Sequence, residues 1–203
     1  MHQLAGRLKH YDWGSTTALA DLRGIEPSGR PEAELWFDSD DLPCLVKVLA
    51  VQRTLSIQAH PGAEQARRGF AAEEAAGLPI DHPDRSFVDD RAKPELVCAV
   101  TPFEALCGFR PVEEATEVAG ALGLPGDMVA VLDGGPGAWP LLLAGTLSGR
   151  WDSTIDTLVE RCTAGVDGPL ADTADLVARL ANQHPGDPAL LVVPLLAHHR
   201  LQP

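Results

Sequence analysis

Polar and apolar residues alternate strictly through residues 54–60. Leu55, Ile57 and Ala59 fall on one side, and Ser56, Gln58 and His60 on the other. Period two is the signature of a half-buried strand, and a strand is predicted there. Residues 44–50 are apolar except for Lys47, and read as another strand. Lys93 and Glu95 form a second polar pair on one face, followed by a β-type run at 96–100 and a further one at 103–109. Pro61-Gly62 breaks the pattern. Residues 63–76 then read as a helix whose Gln65, Arg67, Arg68, Glu73 and Glu74 give it a solvated face. Residues 77–92 read as loop.

After Pro111 the period changes from two to 3.6. Residues 112–122 predict a helix with Glu113 and Glu114 in its first turn, where carboxylates complement the helix dipole. Ile155, Leu158, Val159 and Cys162 repeat at helical spacing behind a cap at Asp152 or Ser153. Leu176, Val177 and Leu180 do so behind Asp172 or Thr173, and Pro185-Gly186 ends that helix. Strands followed by helices predict an α+β fold. The division is a β-domain over 1–110, a helical domain over 111–186, and a return strand over 187–203.

Composition changes this picture little and charge changes it more. Of 203 residues, 45% are hydrophobic and 22% charged, so a sizeable core can form. The formal net charge of −13 disfavours nucleic acid and anionic membrane surfaces as partners. No run approaches the ~20 apolar residues of a membrane span. The start, Met1-His2-Gln3-Leu4, lacks the apolar stretch of a signal peptide. Cys44, Cys98, Cys107 and Cys162 show no C-x-x-C spacing and read as buried free thiols in a reducing cytoplasm.

If the strands bearing Gln58, His60 and Glu95 are neighbours, these residues offer one nitrogen and two oxygen ligands, a set suited to zinc with an open position. The same alternation also describes an ordinary wet sheet face. Glu95, at the start of a half-buried strand, needs a partner, which a metal or Lys93 would supply. Lys47 is costly in an apolar strand unless it faces a polar cavity, and the same pattern equally describes a lysine at a sheet edge. Gly134-Gly135-Pro136-Gly137 lacks the lysine and hydroxyl of a phosphate loop and reads as a turn. His198 and His199, adjacent on a strand, point to opposite faces and read as an exposed pair rather than joint ligands. Trp13 and Trp36 read as packing residues.

Five segments in order carry a resemblance: Tyr11-Asp12-Trp13-Gly14-Ser15, Ala33-Glu34-Leu35-Trp36, Ser56-Ile57-Gln58-Ala59-His60-Pro61, Lys93-Pro94-Glu95, and the run from Thr101 to Arg110. Together they resemble type I mannose-6-phosphate isomerases (phosphomannose isomerases). The resemblance implies a cupin (jelly-roll) core with a helical domain. It implies an aldose–ketose isomerase that interconverts mannose 6-phosphate and fructose 6-phosphate with a Zn²⁺ cofactor. Gln58, His60 and Glu95 would be the metal ligands. Lys47, Ser56 and Lys93 would bind substrate, and Lys93 would also be catalytic.

The chain departs from the family pattern in three places. Phe37-Asp38-Ser39-Asp40-Asp41 bridges directly where the family has a longer connection. Arg91-Ala92 stands where it often has Asn-His. The fourth zinc ligand, a histidine in a glycine-rich stretch, lies further on than this sequence reaches. The expectation is therefore an incomplete barrel with weak isomerase activity on its own. Its partners would be a sugar phosphate and either a second copy or a complementary C-terminal segment. The alternative is a non-catalytic module that binds zinc and a sugar phosphate.

Overall fold

The structure, a computed structural model, describes residues 5–37 and 44–203, the side chain of Pro136 excepted. The expected bridge through Asp38 to Asp41 and the reading of Met1 to Leu4 fall outside these residues. Packing divides the chain into two units: Met1–Ser56 with Leu106–Ala197, and Ile57–Ala105 with His198–Pro203. The change from strand to helix does fall near residue 110, since the strand at Phe103–Phe109 is followed by the helix at Val112–Ala121.

The first unit opens with a three-stranded antiparallel sheet in the order β1 (Arg7–Lys9), β2 (Glu34–Phe37), β3 (Val46–Leu49). Trp36 lies opposite both Arg7 and Lys47 in register. A short helix, α1 (Ala18–Arg23), joins β1 to β2, and the Ser15 hydroxyl accepts from the Thr17 and Ala18 N–H groups at its start. Gly14 bridges to Val51, and a Cβ at Gly14 would lie 2.6 Å from the Ala33 backbone. Only glycine permits so close an approach. Leu19, Leu35 and Ala50 form a small core beneath this sheet.

The helical part of the same unit comprises α3 (Val112–Ala121), α4 (Gly126–Leu132), α5 (Ala138–Leu147), α6 (Ile155–Thr163) and α7 (Ala171–Gln183). Single turns of 3-10 helix at Pro188–Leu191 and Val193–Leu195 follow. Leu122, Met128, Leu132, Leu142, Val177, Leu191 and Leu195 are fully buried in one cluster. Burying each such side chain contributes about 1.5–3 kcal/mol. The glycine-rich turn expected between helices is a 3-10 turn at Gly135–Gly137.

Two strands, β4 (Phe103–Phe109) and β5 (Leu196–Leu201), pair as a separate ribbon. Arg110 ends β4 as a staple. Its N–H donates to Leu195 O at 2.9 Å, and its guanidinium donates to Pro194 O at 2.9 Å, Thr173 Oγ1 at 3.2 Å, and Glu114.

The second unit is built on α2 (Ala63–Ala75), one residue shorter than predicted. Residues 77–102 carry no regular element, which agrees with a loop over 77–92 and corrects the strand at 96–100. The predicted strand at 54–60 is also irregular. Alternation alone does not make a strand. It needs a ladder partner for its N–H and C=O groups, and neither segment has one among the described residues. Leu96 and Val100 are consequently exposed.

The thiols need a second correction. Cys162 is buried, but Cys44, Cys98 and Cys107 are exposed. Burial raises the Cys162 pKa. The other three follow from the same missing ladders and from strand edges. His198 is not an exposed histidine either. Its side chain is 11% exposed and faces Glu104 at 3.9 Å.

Candidate metal and substrate site

Pro61 and Gly62 end the extended segment 54–60 and start α2, with Gly62 in the N-cap position. His60 is thereby held just before a helix. Glu95 follows Pro94, which restricts the backbone at Lys93 to extended conformations. The fold brings these two side chains together. His60 Nδ1 lies 3.8 Å from Glu95 Oε2. That is too long for a hydrogen bond, and somewhat longer than the roughly 3.4 Å between a nitrogen and an oxygen held tetrahedrally by one zinc ion, so a small inward shift of one side chain would let both ligate it. Gln58, the third expected ligand, is exposed in the same unit. Among the described residues no three His, Cys, Asp or Glu side chains converge on one point. An imidazole nitrogen and a carboxylate oxygen are donors that zinc accepts, and these two are the pair the structure brings together.

His60 also lines a cavity of about 130 Å³ with Ser86, Phe87, Asp89, Arg91 and Lys93. The partner expected for Glu95 from sequence was a metal or Lys93. Lys93 instead pairs with Asp89 at 3.5 Å. The Arg91 N–H donates to Asp89 at 3.0 Å, and with Lys93 it holds the Asp89 carboxyl below the usual range against the opposing effect of burial. The cavity wall therefore presents an imidazole, a lysine and an arginine, with Asp89 holding the Lys93 ammonium and the Arg91 backbone N–H.

Lys47, in the first unit, pairs with a buried carboxylate. Its ammonium lies 3.6 Å from Glu34 Oε1, and its side chain is 30% exposed. Glu34 is buried and its Oε2 accepts the Trp36 indole N–H at 2.7 Å. Lys9 Nζ sits 4.7 Å from the centre of the Trp36 ring. Trp36 is thus a packing residue with a polar handle. Ser56 is exposed in an irregular stretch of the first unit.

Sequence reasoning missed a polar cluster beside the cavity. Arg85 is enclosed, with side-chain exposure of 0%, and lies 3.0 Å from Glu73 and 2.6 Å from Glu74 at the end of α2. Glu73 in turn accepts the N–H groups of Ser86 and Phe87 at 3.0 and 2.8 Å. No sequence signal singles out Arg85, which is one of two arginines in residues 77–92.

Comparison with known proteins supports the same reading. Residues 37–112 match the family model described as phosphomannose isomerase type I, catalytic domain. The mannose-6-phosphate isomerase of Escherichia coli K12 is 37% identical over 164 residues, covering 60% of this chain and 42% of that protein. Mannose-6-phosphate isomerase 1 of Arabidopsis thaliana is 46% identical over 171 residues, covering 60% and 37%. A crystal structure of the Salmonella typhimurium enzyme bound to fructose 6-phosphate and zinc superposes with a TM-score of 0.85 at 27% identity. It covers 98% of this chain and 61% of that one. The chain thus spans well under two thirds of the curated relatives it matches. In sequence over residues 37–112 and in fold over nearly its whole length, the chain is related to the type I phosphomannose isomerases and matches part of their length.

Proposed function

We propose that this chain carries the zinc-binding part of a mannose-6-phosphate isomerase site, acting on mannose 6-phosphate and fructose 6-phosphate. The observation that carries the reading is the His60–Glu95 pair, facing at 3.8 Å beside a cavity that holds Lys93. Gln58, His60 and Glu95 would hold the ion. Zinc, when bound, polarises the sugar oxygens and stabilises developing negative charge. The reaction moves a proton between adjacent carbons through an enediol. Lys93, already at the cavity wall, serves as a cation beside the reacting oxygens, and Asp89 keeps its ammonium in place.

Substrate phosphate requires a local cation in a chain of formal charge −13. Lys47, Ser56 and Lys93 are the proposed substrate-binding residues. Binding through Lys47 requires its ammonium to exchange Glu34 for the incoming anion, or to hold both. Affinity for the phosphosugar should therefore fall with added salt.

The β-elements are read as part of a cupin-like barrel, with the helical residues 111–186 and the strand region 187–203 as its neighbours in sequence. Solved relatives extend beyond the matched 61%; a complementary segment or a second copy of this chain is a proposed partner beside the sugar phosphate. The cytoplasm is the proposed compartment. No helix among the described residues is long and apolar enough to cross a membrane.

Metal analysis after gentle purification tests the reading. The parent chain should retain about one zinc per molecule, and His60→Ala and Glu95→Ala should each lose it. Unchanged zinc content in both variants would falsify the ligand assignment.

A further inference from the structure

We propose that Arg85 is a positioning residue for the His60 cavity, acting through Glu73 and Phe87 on the wall that shares the cavity with His60. The inference rests on the zinc reading above and adds a residue that does not touch the ion. Arginine is seldom enclosed without a reason. Here its Nε donates to Phe87 O at 2.7 Å, its Nη2 to Glu74 Oε1 at 2.6 Å, and its Nη1 to Leu78 O. The guanidinium lies 5.1 Å from the centre of the Phe70 ring.

Phe87 is therefore fixed at three points. Its carbonyl accepts from Arg85, its N–H donates to Glu73, and its ring lies against Gly69 of α2. A Cβ at Gly69 would come 2.5 Å from that ring. A helix interior tolerates glycine poorly. Its presence in the middle of α2 is accounted for by the seat it gives Phe87. Ser86 and Phe87 then line the cavity with His60, and two residues later Asp89 fixes Lys93. The clamp thus sets the wall first and, through the short segment that follows, the approach to Glu95. Groups hydrogen-bonded directly to metal ligands typically change the affinity about ten- to a hundredfold when removed, and Arg85, one step further back, should act at the lower end of that range.

The test is zinc affinity of the full chain, measured by competition with a chromophoric chelator, together with the visible spectrum of the cobalt(II)-loaded protein. Arg85→Gln should weaken zinc binding about tenfold and change the cobalt bands. Arg85→Lys, which keeps the charge but not the planar fork, should recover part of the loss. Gly69→Ala leaves every charge in place and displaces only the Phe87 ring, so it should weaken binding too. If Arg85→Gln loses its helical circular dichroism, Gly69→Ala decides the matter. Zinc affinity within twofold of the parent in the folded variants overturns the role of Arg85 and leaves the zinc site standing. A parent chain that binds no zinc overturns the functional reading itself, and this role with it.

Discussion

The helical part of the first unit and the α2 unit are held together by opposite means. In the first, Leu122, Met128, Leu132, Leu142, Val177, Leu191 and Leu195 close an apolar core. In the second, Ala66 is the only buried apolar side chain among the described residues of 57–105 and 198–203, and the enclosed group is Arg85. One region rests on non-directional burial, which tolerates variation in angle. The other rests on directional hydrogen bonds, which fix positions at the cost of desolvating charge. The proposed zinc ligands and Lys93 lie in the second. Positional precision is where a metal and a small anion need it.

The sharpest way to break this contrast is a core truncation. Leu191→Ala should cost about 4 kcal/mol by leaving a cavity, and lower the midpoint of thermal unfolding by roughly 12 °C in a chain of this size. Circular dichroism at 222 nm reads it. A loss below about 1 kcal/mol would mean that the helical cluster is looser than its burial implies.

Acid should act on the other unit. Partial burial pushes the Glu73 carboxyl up, but the Ser86 and Phe87 N–H groups and the Arg85 guanidinium outweigh it, so its pKa lies below the ordinary value. A lowered folded pKa gives stability that is present above the unfolded pKa, about 4.3, and is lost as pH falls through the folded value. The Ser86 and Phe87 amides should therefore lose hydrogen-exchange protection as pH drops below about 4, while amides of α7 keep theirs. Glu73→Gln should remove the acid dependence. Equal pH dependence in both regions would erase the distinction.

The smallest effect should come from the charges of the helical part. Trp151 Nε1 donates to Asp127 at 3.0 Å, and with Arg150 it keeps the Asp127 pKa low despite some desolvation. The Arg150–Asp127 pair is more than half exposed. Asp127→Asn keeps an acceptor for the indole and loses only that pair, so it should cost under about 1 kcal/mol in urea unfolding. A larger loss would show that a surface ion pair supports the apolar cluster.

Legibility in the sequence followed the same divide. Helices whose stability comes from an amphipathic face were readable, as at Ile155, Leu158 and Cys162, because burial imposes a period. The strand at Phe103–Phe109 was also anticipated, although its exposure shows no period of two. Helix α5 was not. Its apolar residues run all round, with Leu141 and Leu147 exposed, so no period stands out. At the site, the spacing of Gln58, His60, Lys93 and Glu95 was legible, and the structure brings His60 and Glu95 together. The strands meant to carry them were not found, because alternation does not reveal whether a ladder partner is at hand. Arg85 was illegible because a side chain bonded to backbone carbonyls leaves no pattern in its neighbours' identities.

Trp36 has an optical consequence. Its indole N–H is bonded to Glu34, which also faces the Lys47 ammonium, and Lys9 stands over its ring. Indole emission responds to nearby charge. Under the proposed role of Lys47, the indole is bonded to a carboxylate that would release or share that lysine when an anion arrives. Trp36's share of the emission of the four tryptophans would then report that exchange without a label.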